Sequence, residues 1–474
     1  MYFDIRMSLR PFLFVISLWV IQLPQAAGAV QDHELLSFVN LAMLQSDAAF
    51  TVRDEKILGS LDIKVAEQQF VTRIVPLTTV GFTQGTGSQQ LGVEFQRDME
   101  AGTEVTYGVV GNRVEEDSDY VIENSHSAKA FVRISQGIFR RWGQEYNLTG
   151  LDVARLQNGL NQISADHALQ TITLETVRKY YALLLEDHLL QKSHEALERS
   201  KEHLESAKSR QSVGLVSKVD VYRAELAALA AENLLHNQKR SRQRALDDFR
   251  EQLGMEEDSA LNWHESIQKI LPVLPEDWEK NVIANHLEWR KYLTNVEIAK
   301  REMYKVKRDL LPDVDVSLTL EQRGDGDSIE EAIALDDTNW SFQVQMNSPI
   351  NSVMEEAAVT RKSMEQAKLR REGKALRRKI VREVRDGLDD LKTAELQHQL
   401  NRRQLEQADL ALDLAKIRYE KGLSDNLDML DAEAAFSDAE LAISRSLVAY
   451  NNAAVHLAYV MGILDTDWLR MSVR

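Results

Sequence analysis

The aspartates that follow one glycine turn are the residues of this sequence whose spacing most clearly allows chemistry. Asp428 and Asp431 stand three residues apart, shortly after Gly422, where a helix is expected to begin. Residues three apart share one helix face, so the two carboxylates form an anionic patch that attracts cations. The same pattern is typical of two hydrated acids at a helix N-terminus, which the helix dipole stabilises. The residues alone leave both interpretations open.

The number and spacing of the histidines, and the lack of cysteine, do not indicate an enzyme. The chain has 11 histidines and no cysteine, which excludes disulfides and cysteine-based metal sites. The acidic segment at 323–327 lacks the spacing and the closing glutamate of an EF-hand, so it is predicted to be a solvated loop. We therefore expect no catalytic site, no cofactor and no metal. The histidines considered do not cluster with carboxylates at metal-ligand spacing, and they are His33, His126, His167, His188, His194 and His203.

The composition argues against one class of partner, and the first residues predict that the protein is exported. The net charge of −17 argues against nucleic acid, whose phosphates require a basic surface. Residues 1–29 are typical of a cleaved signal peptide, because the apolar run at 11–23 precedes the cleavage motif Ala27-x-Ala29. A retained anchor is the alternative, but the run is shorter than the roughly 20 residues that a spanning helix needs. The lack of a cysteine after this segment excludes an acylated N-terminus.

The sequence contains one large unit twice. Residues 207–255 align with residues 415–463 without a gap, and 13 of the 49 aligned positions are identical. Gly214 aligns with Gly422, 208 positions later. A period this long is not that of a solenoid, so we expect two structural repeats. They are predicted at 30–262 and 263–474.

Each repeat is predicted to contain a helix, strands, one very long helix and a shorter returning helix. Long helices are expected at about 147–213 and 354–421, and each would be roughly 95 Å long at about 1.5 Å per residue. The shorter helices would stack end to end in pairs, and they are expected at about 33–70, 217–253, 276–309 and 425–461. Gly254 and the prolines that follow it predict an interruption at mid-height. A coiled-coil seam is expected at Leu174, Val177, Tyr181, Leu184 and His188.

Alternating segments predict β-strands at the end opposite the glycine turns. Apolar and polar residues alternate at 313–321 and again at 340–346, a pattern typical of an outer-membrane barrel and also of a half-buried soluble sheet. The lack of a large soluble β-domain favours the barrel. Few strands cannot close a barrel, and lipid does not tolerate an open edge, so several chains would share one. Further strand candidates are 77–82, 93–96, 103–109 and 128–135, with surface loops at 115–119 and 325–337.

The two turn segments resemble those of the TolC-type outer membrane efflux protein family, also called outer membrane factors. The segments are VGLVSKVDV at 213–221 and YEKGLSDNLDMLDA at 419–432. Residues 136–143 resemble the family's strand-to-helix entry, with Gly137 where proline is commoner, and Pro349 keeps that proline in the second repeat. The resemblance covers essentially the whole mature chain.

This resemblance implies a fold of mixed α and β class, with a long antiparallel α-helical barrel joined to a trimer-shared outer-membrane β-barrel. Three chains would each contribute four strands to a twelve-stranded barrel. The implied protein is a passive channel in the outer membrane of a Gram-negative bacterium, with a large periplasmic part. A periplasmic adaptor would join it to an inner-membrane transporter that supplies the energy. The cargo would be small molecules or, in type I secretion, proteins.

The resemblance also implies roles for residues at the two turns. Asp428 and Asp431 would line a pore constriction, as two rings of three carboxylates in the trimer. Asp220 and Tyr419 would help to hold the entrance closed. Ser424 stands where an arginine can link neighbouring helices, so the closed state is expected to be held differently in this chain. Adaptor docking is implied for Val213, Gly214, Leu215, Gly422, Leu423 and Ser424.

A soluble periplasmic coiled-coil scaffold is the alternative function. The long helices and the signal peptide fit a scaffold equally well, whereas the strand pattern and the paired turns favour the channel. The scaffold would be extracted without detergent, so fractionation separates the two. Within the channel hypothesis the sequence barely distinguishes efflux of small molecules from protein secretion, and small-molecule efflux is the preferred interpretation.

Overall fold

The computed structural model describes residues 34–83, 86–118, 121–256, 259–263, 267–273, 278–347 and 351–472. The predicted signal peptide and Pro349 lie outside these residues. The helices are α1 (Glu34–Gln45), α2 (Asp47–Glu67), α3 (Gln144–Asn147), α4 (Thr149–Ser212), α5 (Lys218–Leu253), α6 (Trp278–Asn285), α7 (Leu287–Asp309), α8 (Ile329–Ile333), α9 (Val353–Glu420), α10 (Asn426–Val460) and α11 (Thr466–Ser472). The strands are β1 (Arg73–Thr83), β2 (Thr86–Asp98), β3 (Thr103–Ser118), β4 (Val121–Gly137), β5 (Asp313–Gly326) and β6 (Asp337–Asn347).

The two long helices are confirmed within about two residues at each end. α4 has 64 residues and α9 has 68, so each is about 100 Å long. The returning helices α5 and α10 have 36 and 35 residues. The seam predicted for α4 is buried from Leu174 to Leu184, within the main hydrophobic core. That core lies at mid-height, where the shorter helices meet.

A glycine in the left-handed conformation ends each of these helix hairpins in the same way. Gly214 and Gly422 have φ of 76° and 70°. In each turn the glycine and the next residue donate backbone hydrogen bonds to carbonyls of the last helical turn, which is the Schellman arrangement. Gly254 and Gly462 end the returning helices with φ of 69° and 70° and the same hydrogen bonds.

The two remaining helices are each divided, which the sequence analysis did not predict. Ser46 separates α1 from α2, and its hydroxyl accepts a hydrogen bond from the Ala49 N–H at 3.2 Å. His286 separates α6 from α7, and its Nδ1 accepts one from the Glu288 N–H at 3.2 Å. Both residues therefore act as N-caps, and each starts a new helix.

The helices pack side by side in one layer. Near the glycine turns, α4 lies between α5 and α10, and α9 packs on the far side of α10. Towards the sheet, α4 lies between α2 and α7, and α9 packs on α7. The two long helices therefore run through the whole layer, and pairs of shorter helices fill the positions beside them.

The strands form one antiparallel sheet in the order β1 to β6, at the end of the long helices opposite the turns. The resemblance implied four strands per chain, and the described residues form six, because the first half contributes two hairpins. The loop predicted at 115–119 is wrong for 115–118, which continue β3. The loops predicted at 323–327 and 325–337 are wrong for 323–326, which belong to β5, and for 337, which begins β6, and the segment between these strands contains α8. The acidic segment 115–118 lacks the apolar alternation typical of a strand, so the sequence did not predict that β3 includes it.

The sheet has one apolar and one polar face. Residues in register across all six strands form an apolar row, which consists of Ile74, Phe95, Tyr107, Val132, Leu320 and Trp340. The neighbouring row points to the other face and is polar, with Arg73, Gln96, Thr106, Arg133, Thr319 and Ser341. Neither β1 nor β6 has a second strand partner in the described chain.

Among the described helices, no single one has the length and apolar character needed to cross a membrane, and the bent pair α1–α2 meets that test by length and composition alone.

Candidate functional site

The first turn presents apolar side chains on a rigid frame. Leu215 is 68% exposed at the tip, and Val213 beside it is similarly exposed. Ser217 caps α5 through a capping box, in which the Ser217 Oγ accepts from the Asp220 N–H at 3.3 Å and the Asp220 carboxylate accepts from the Ser217 N–H at 3.0 Å. The Ser217 hydroxyl also donates to the Asp220 carboxylate at 2.7 Å, and this hydrogen bond and the one from the Ser217 N–H lower the pKa of Asp220. The Asp220 carboxylate is thus occupied within its own turn.

The second turn has the same frame with a different charge. Leu423 is 67% exposed at the tip. Asp425 caps α10 by accepting from the N–H groups of Leu427 and Asp428, at 3.1 and 3.0 Å. The Ser424 hydroxyl is buried and has no hydrogen-bond partner in the described residues.

Aligned positions in the two turns differ in their net charge. In the first turn the Asp220 carboxylate lies 3.9 Å from the Arg223 guanidinium. Asp428 aligns with Asp220, and Asp431 aligns with Arg223. Both aspartates of the second turn are exposed on α10, and neither forms an ion pair with a described residue. The second turn therefore presents an uncompensated anionic face.

Two contacts join the turns to each other. The His203 ring nitrogen Nε2 lies 2.5 Å from the Asn426 amide oxygen, and the Asn426 amide donates to the Asp220 carbonyl at 3.1 Å. The Arg210 guanidinium donates to the Tyr419 carbonyl at 2.9 Å and lies 4.5 Å from the centre of the Tyr419 ring. These contacts fix the end of α9 and the start of α10 against α4 and α5.

Tyr419 contributes its ring and its backbone to this junction rather than its hydroxyl. The residue is only 5% exposed, in a small apolar cluster with Leu412 and Met429. Its hydroxyl makes no hydrogen bond within the described residues. Burial raises the pKa of Tyr419, and the nearby Arg210 guanidinium opposes that shift.

A buried charge network above the turns was missed by the sequence analysis. Arg199 on α4 lies 3.5 Å from Glu433 and 3.4 Å from Glu440, both on α10, and Lys192 lies 3.0 Å from Glu440. Burial raises the pKa of Glu433, and Arg199 holds it down. The glutamates recur at Glu225 and Glu232 in the first copy. That recurrence was visible in the sequence, but it did not identify the cationic partners.

The structure thus separates the predicted site residues into two environments. Asp428, Asp431 and the tip residues Leu215 and Leu423 are exposed, whereas Tyr419 is buried. Within the described part of the chain, no group of three or more histidines and carboxylates is arranged to hold a metal ion. The exposed turns therefore offer apolar contact and negative charge.

Comparison with known proteins gives one family match and several similar folds. Residues 280–463 match the family described as outer membrane efflux protein. No curated protein matches the chain by sequence. The outer membrane protein VceC of Vibrio cholerae has 13% identity and a TM-score of 0.69, with 90% of this chain and 96% of that chain covered.

Two further solved structures have the same fold. The CmeC outer membrane channel of Campylobacter jejuni has 14% identity and a TM-score of 0.69, over 92% of this chain and 89% of that chain. The open state of the MtrE outer membrane channel of Neisseria gonorrhoeae has 13% identity and a TM-score of 0.70, over 90% of this chain and 89% of that chain.

Proposed function

We propose that this chain, whose residues 280–463 carry the outer membrane efflux protein domain, is the outer membrane channel of a tripartite export system. The resemblance predicted from the turn segments is confirmed by that match. The observation that carries the function is the arrangement of the ends. A sheet with one continuous apolar face lies at one end of helices about 100 Å long, and exposed helix-turn-helix tips lie at the other. Such a molecule connects a membrane to a partner far from it.

The channel is a homotrimer in which the chains share one β-barrel in outer membrane lipid. Supporting this, the sheet has unpaired edges at β1 and β6 in one chain, and an open edge is not tolerated in lipid. The apolar row that ends at Trp340 would face lipid, and the polar row would face the lumen. Among the described helices, α5 and α9 lie at the two sides of the layer near the turns, and neighbouring chains would continue the wall there.

Each chain contributes two copies of one unit, at 30–262 and 263–474. Equivalent helix ends support the two copies: Gly214 and Gly422 have the same conformation and hydrogen bonds, as do Gly254 and Gly462. Three chains therefore supply six similar tips to the periplasmic end of the tunnel.

The tips are the docking surface for a periplasmic adaptor, which links the channel to an inner-membrane transporter. Val213, Leu215 and Leu423 project apolar side chains into solvent from turns that their own helices hold rigid. Gly214 and Gly422 have no atom within 4 Å of an added Cβ, so space remains around both turns for a partner. Ser424 completes the second tip beside Leu423.

The second turn also lines the constriction. Asp428 and Asp431 are exposed and without ion pairs in the described chain, so three chains would bring six carboxylates around the axis and favour cations. Asp220 and Tyr419 help to hold the entrance through their backbone carbonyls, which accept hydrogen bonds from Asn426 and Arg210. These contacts replace the arginine link that Ser424 cannot make.

Membrane fractionation and single-channel recording test this proposal. The protein should require detergent for extraction, migrate as a trimer after crosslinking, and conduct ions in planar bilayers with a preference for cations. Asp428→Ala with Asp431→Ala should reduce that preference, and Asp467→Ala, which removes an exposed charge from α11, should not. Extraction without detergent would instead support the soluble periplasmic scaffold.

The exported cargo is assigned by a second measurement. Small-molecule efflux is the preferred activity, and secretion of proteins is the other. Restored resistance to toxic compounds in a strain without its own channel would support efflux. Release of a protein substrate, without such resistance, would support secretion.

A further inference from the structure

A cavity at mid-height of the helical layer lies outside the turns and the sheet. It has a volume of about 470 Å³ and opens where α10 ends at Gly462 and α7 begins at Leu287, with α4 and α9 on its sides. This volume falls within the range of small-molecule sites, which is roughly 300–1,000 Å³. The residues that line the cavity all come from one chain.

The aligned junction in the first half of the chain is closely packed. There, a Cβ added to Gly254 would lie 2.2 Å from the Gln45 carbonyl oxygen, so the ends of α5 and α1 touch through their backbones. At the second junction, a Cβ added to Gly462 would lie 3.6 Å from the Asn285 carbonyl oxygen. The backbone at both glycines is the same, so the open space results from the packing around the second junction.

The charged groups of the lining are mainly carboxylates. Glu383, Asp386 and Asp390 follow one another along α9 at spacings of three and four, and Glu288 faces them from α7. The cations near them are Lys379, which lies 3.5 Å from Glu383, and Lys291, which lies 2.9 Å from Glu288. Asp386 and Asp390 form no ion pair with any described residue. The cavity mouth is therefore anionic.

Three half-buried histidines face the same space. Burial lowers the pKa of His167, His286 and His456. Lys291 and Glu288 face His167, while Arg178 and the α9 carboxylates face His456. Lys379, Glu383 and Glu288 face His286. Because their pKa values are lowered, these imidazoles are uncharged at neutral pH, and they do not compensate the negative charge of the carboxylates.

Part of the remaining lining is apolar. Leu376 and Ile380 on α9 and Val460 on α10 form a hydrophobic wall beside the carboxylates. The Tyr459 hydroxyl lies 3.2 Å from the His167 Nε2 and 3.2 Å from the Thr171 hydroxyl, so it is held within the cavity wall. In the part of the chain described, the histidines and carboxylates do not converge on a metal position.

We propose that this cavity binds an aliphatic diamine or polyamine. Ammonium groups pair with carboxylates, and the methylene chain between them packs on the apolar wall. Asp386 and Asp390 are four residues apart, so their backbones are about 6 Å apart along the helix. That separation matches two ammonium groups joined by a short chain of methylenes.

Calorimetric titration of spermidine into the purified full-length protein in detergent tests the proposal. We expect saturable binding with one site per chain. Asp386→Asn with Asp390→Asn should weaken it by about tenfold or more, because two charge-assisted hydrogen bonds are lost. The matched control is Asp389→Asn with Asp409→Asn, which removes the same charge from exposed positions of α9 outside the cavity. It should leave the affinity unchanged.

Three outcomes would overturn the proposal: no saturable binding, equal weakening by both double variants, or displacement of spermidine by an equal concentration of magnesium. The last two would indicate attraction to general negative charge rather than a site. Thermal unfolding of both variants confirms that they are folded. The titration does not depend on conductance or export, so its failure would leave the proposed channel function untouched.

Discussion

The charge network between α4 and α10 gives a sharp test of how the tip region is held together. Arg199 lies 3.5 Å from Glu433, which is only 7% exposed. At that distance the gross Coulomb energy is about 5 kcal/mol for an effective dielectric constant of about 20, and much of it offsets desolvation of the two ions. Arg199→Gln leaves Glu433 buried without this offset. We expect the free energy of unfolding to fall by about 3 kcal/mol.

The loss of stability should depend on pH. Burial raises the pKa of Glu433, while Arg199 and His203 oppose the shift, so removing Arg199 raises the pKa further. A carboxyl whose pKa is higher in the folded than in the unfolded state loses stability as pH rises from the unfolded pKa to the folded pKa. The cost of Arg199→Gln should therefore be larger at alkaline pH, where Glu433 is ionised, than at acidic pH, where Glu433 is protonated.

A double-mutant cycle measures the interaction directly. Urea unfolding of the detergent-solubilised protein, followed by far-ultraviolet circular dichroism, would compare Arg199→Gln, Glu433→Gln and the double variant. Arg223→Gln is the control, because Arg223 is 47% exposed, lies 3.9 Å from Asp220 and should contribute less than about 1 kcal/mol. A coupling energy below about 0.5 kcal/mol, or an equal loss in the control, would refute the reasoning.

Three further variants test the second turn, the closely packed junction at Gly254 and the Tyr419 hydroxyl. Gly422→Ala should cost only about 1 kcal/mol in urea unfolding, because its Cβ meets no atom but its φ of 70° disfavours alanine. Gly254→Ala should cost about 4 kcal/mol in the same measurement, because its Cβ would collide with the Gln45 carbonyl; equal costs would contradict this packing. Tyr419→Phe should leave stability unchanged or raise it by up to about 1 kcal/mol, because the hydroxyl is buried without a partner. It should also leave single-channel conductance unchanged, and a higher conductance would show that the hydroxyl holds the entrance.

The long and returning helices were predictable because residues close to each helix end determine where that helix stops or starts. Glycine followed by a leucine fixed the ends of α4 and α9, and Ser217 and Asp425 fixed the starts of the returning helices. The divisions at Ser46 and His286 were missed. They depend on a single capping residue inside a helical pattern, where the same residue type also occurs without ending a helix.

The ends of the strands were harder to predict than the ends of the long helices. Each of the six predicted segments lies within one strand, but β3 and β4 continue through acidic and polar residues beyond the predicted segments. In the sheet these extensions pair with each other residue by residue, from Gly111 with Ala128 to Ser118 with Val121. Backbone pairing of this kind leaves no hydrophobic pattern, so a prediction based on burial ends the strand too early.

The charge network at Arg199 and the cavity at mid-height are both formed by elements that are distant in sequence. Arg199 and Glu433 are on different copies of the unit, and the cavity is lined by four helices. The sequence shows that these glutamates and histidines are present, but it does not predict which residues of other helices they contact. The exposed aspartates at 428 and 431 were predictable because both belong to one helix, and a helix fixes the relation of residues three apart.

The two turns have the same backbone conformation, so they differ mainly in the charge of their side chains. Gly214 and Gly422 end their helices with the same conformation and the same pair of hydrogen bonds, so both tips offer one shape to a partner. Arg223 neutralises Asp220 in the first turn, and Asp431 occupies the aligned position in the second. In the proposed trimer, neutral and anionic tips would therefore alternate around the entrance. A partner that recognises shape alone would find six equivalent positions, and one that also carries positive charge would choose the three second turns.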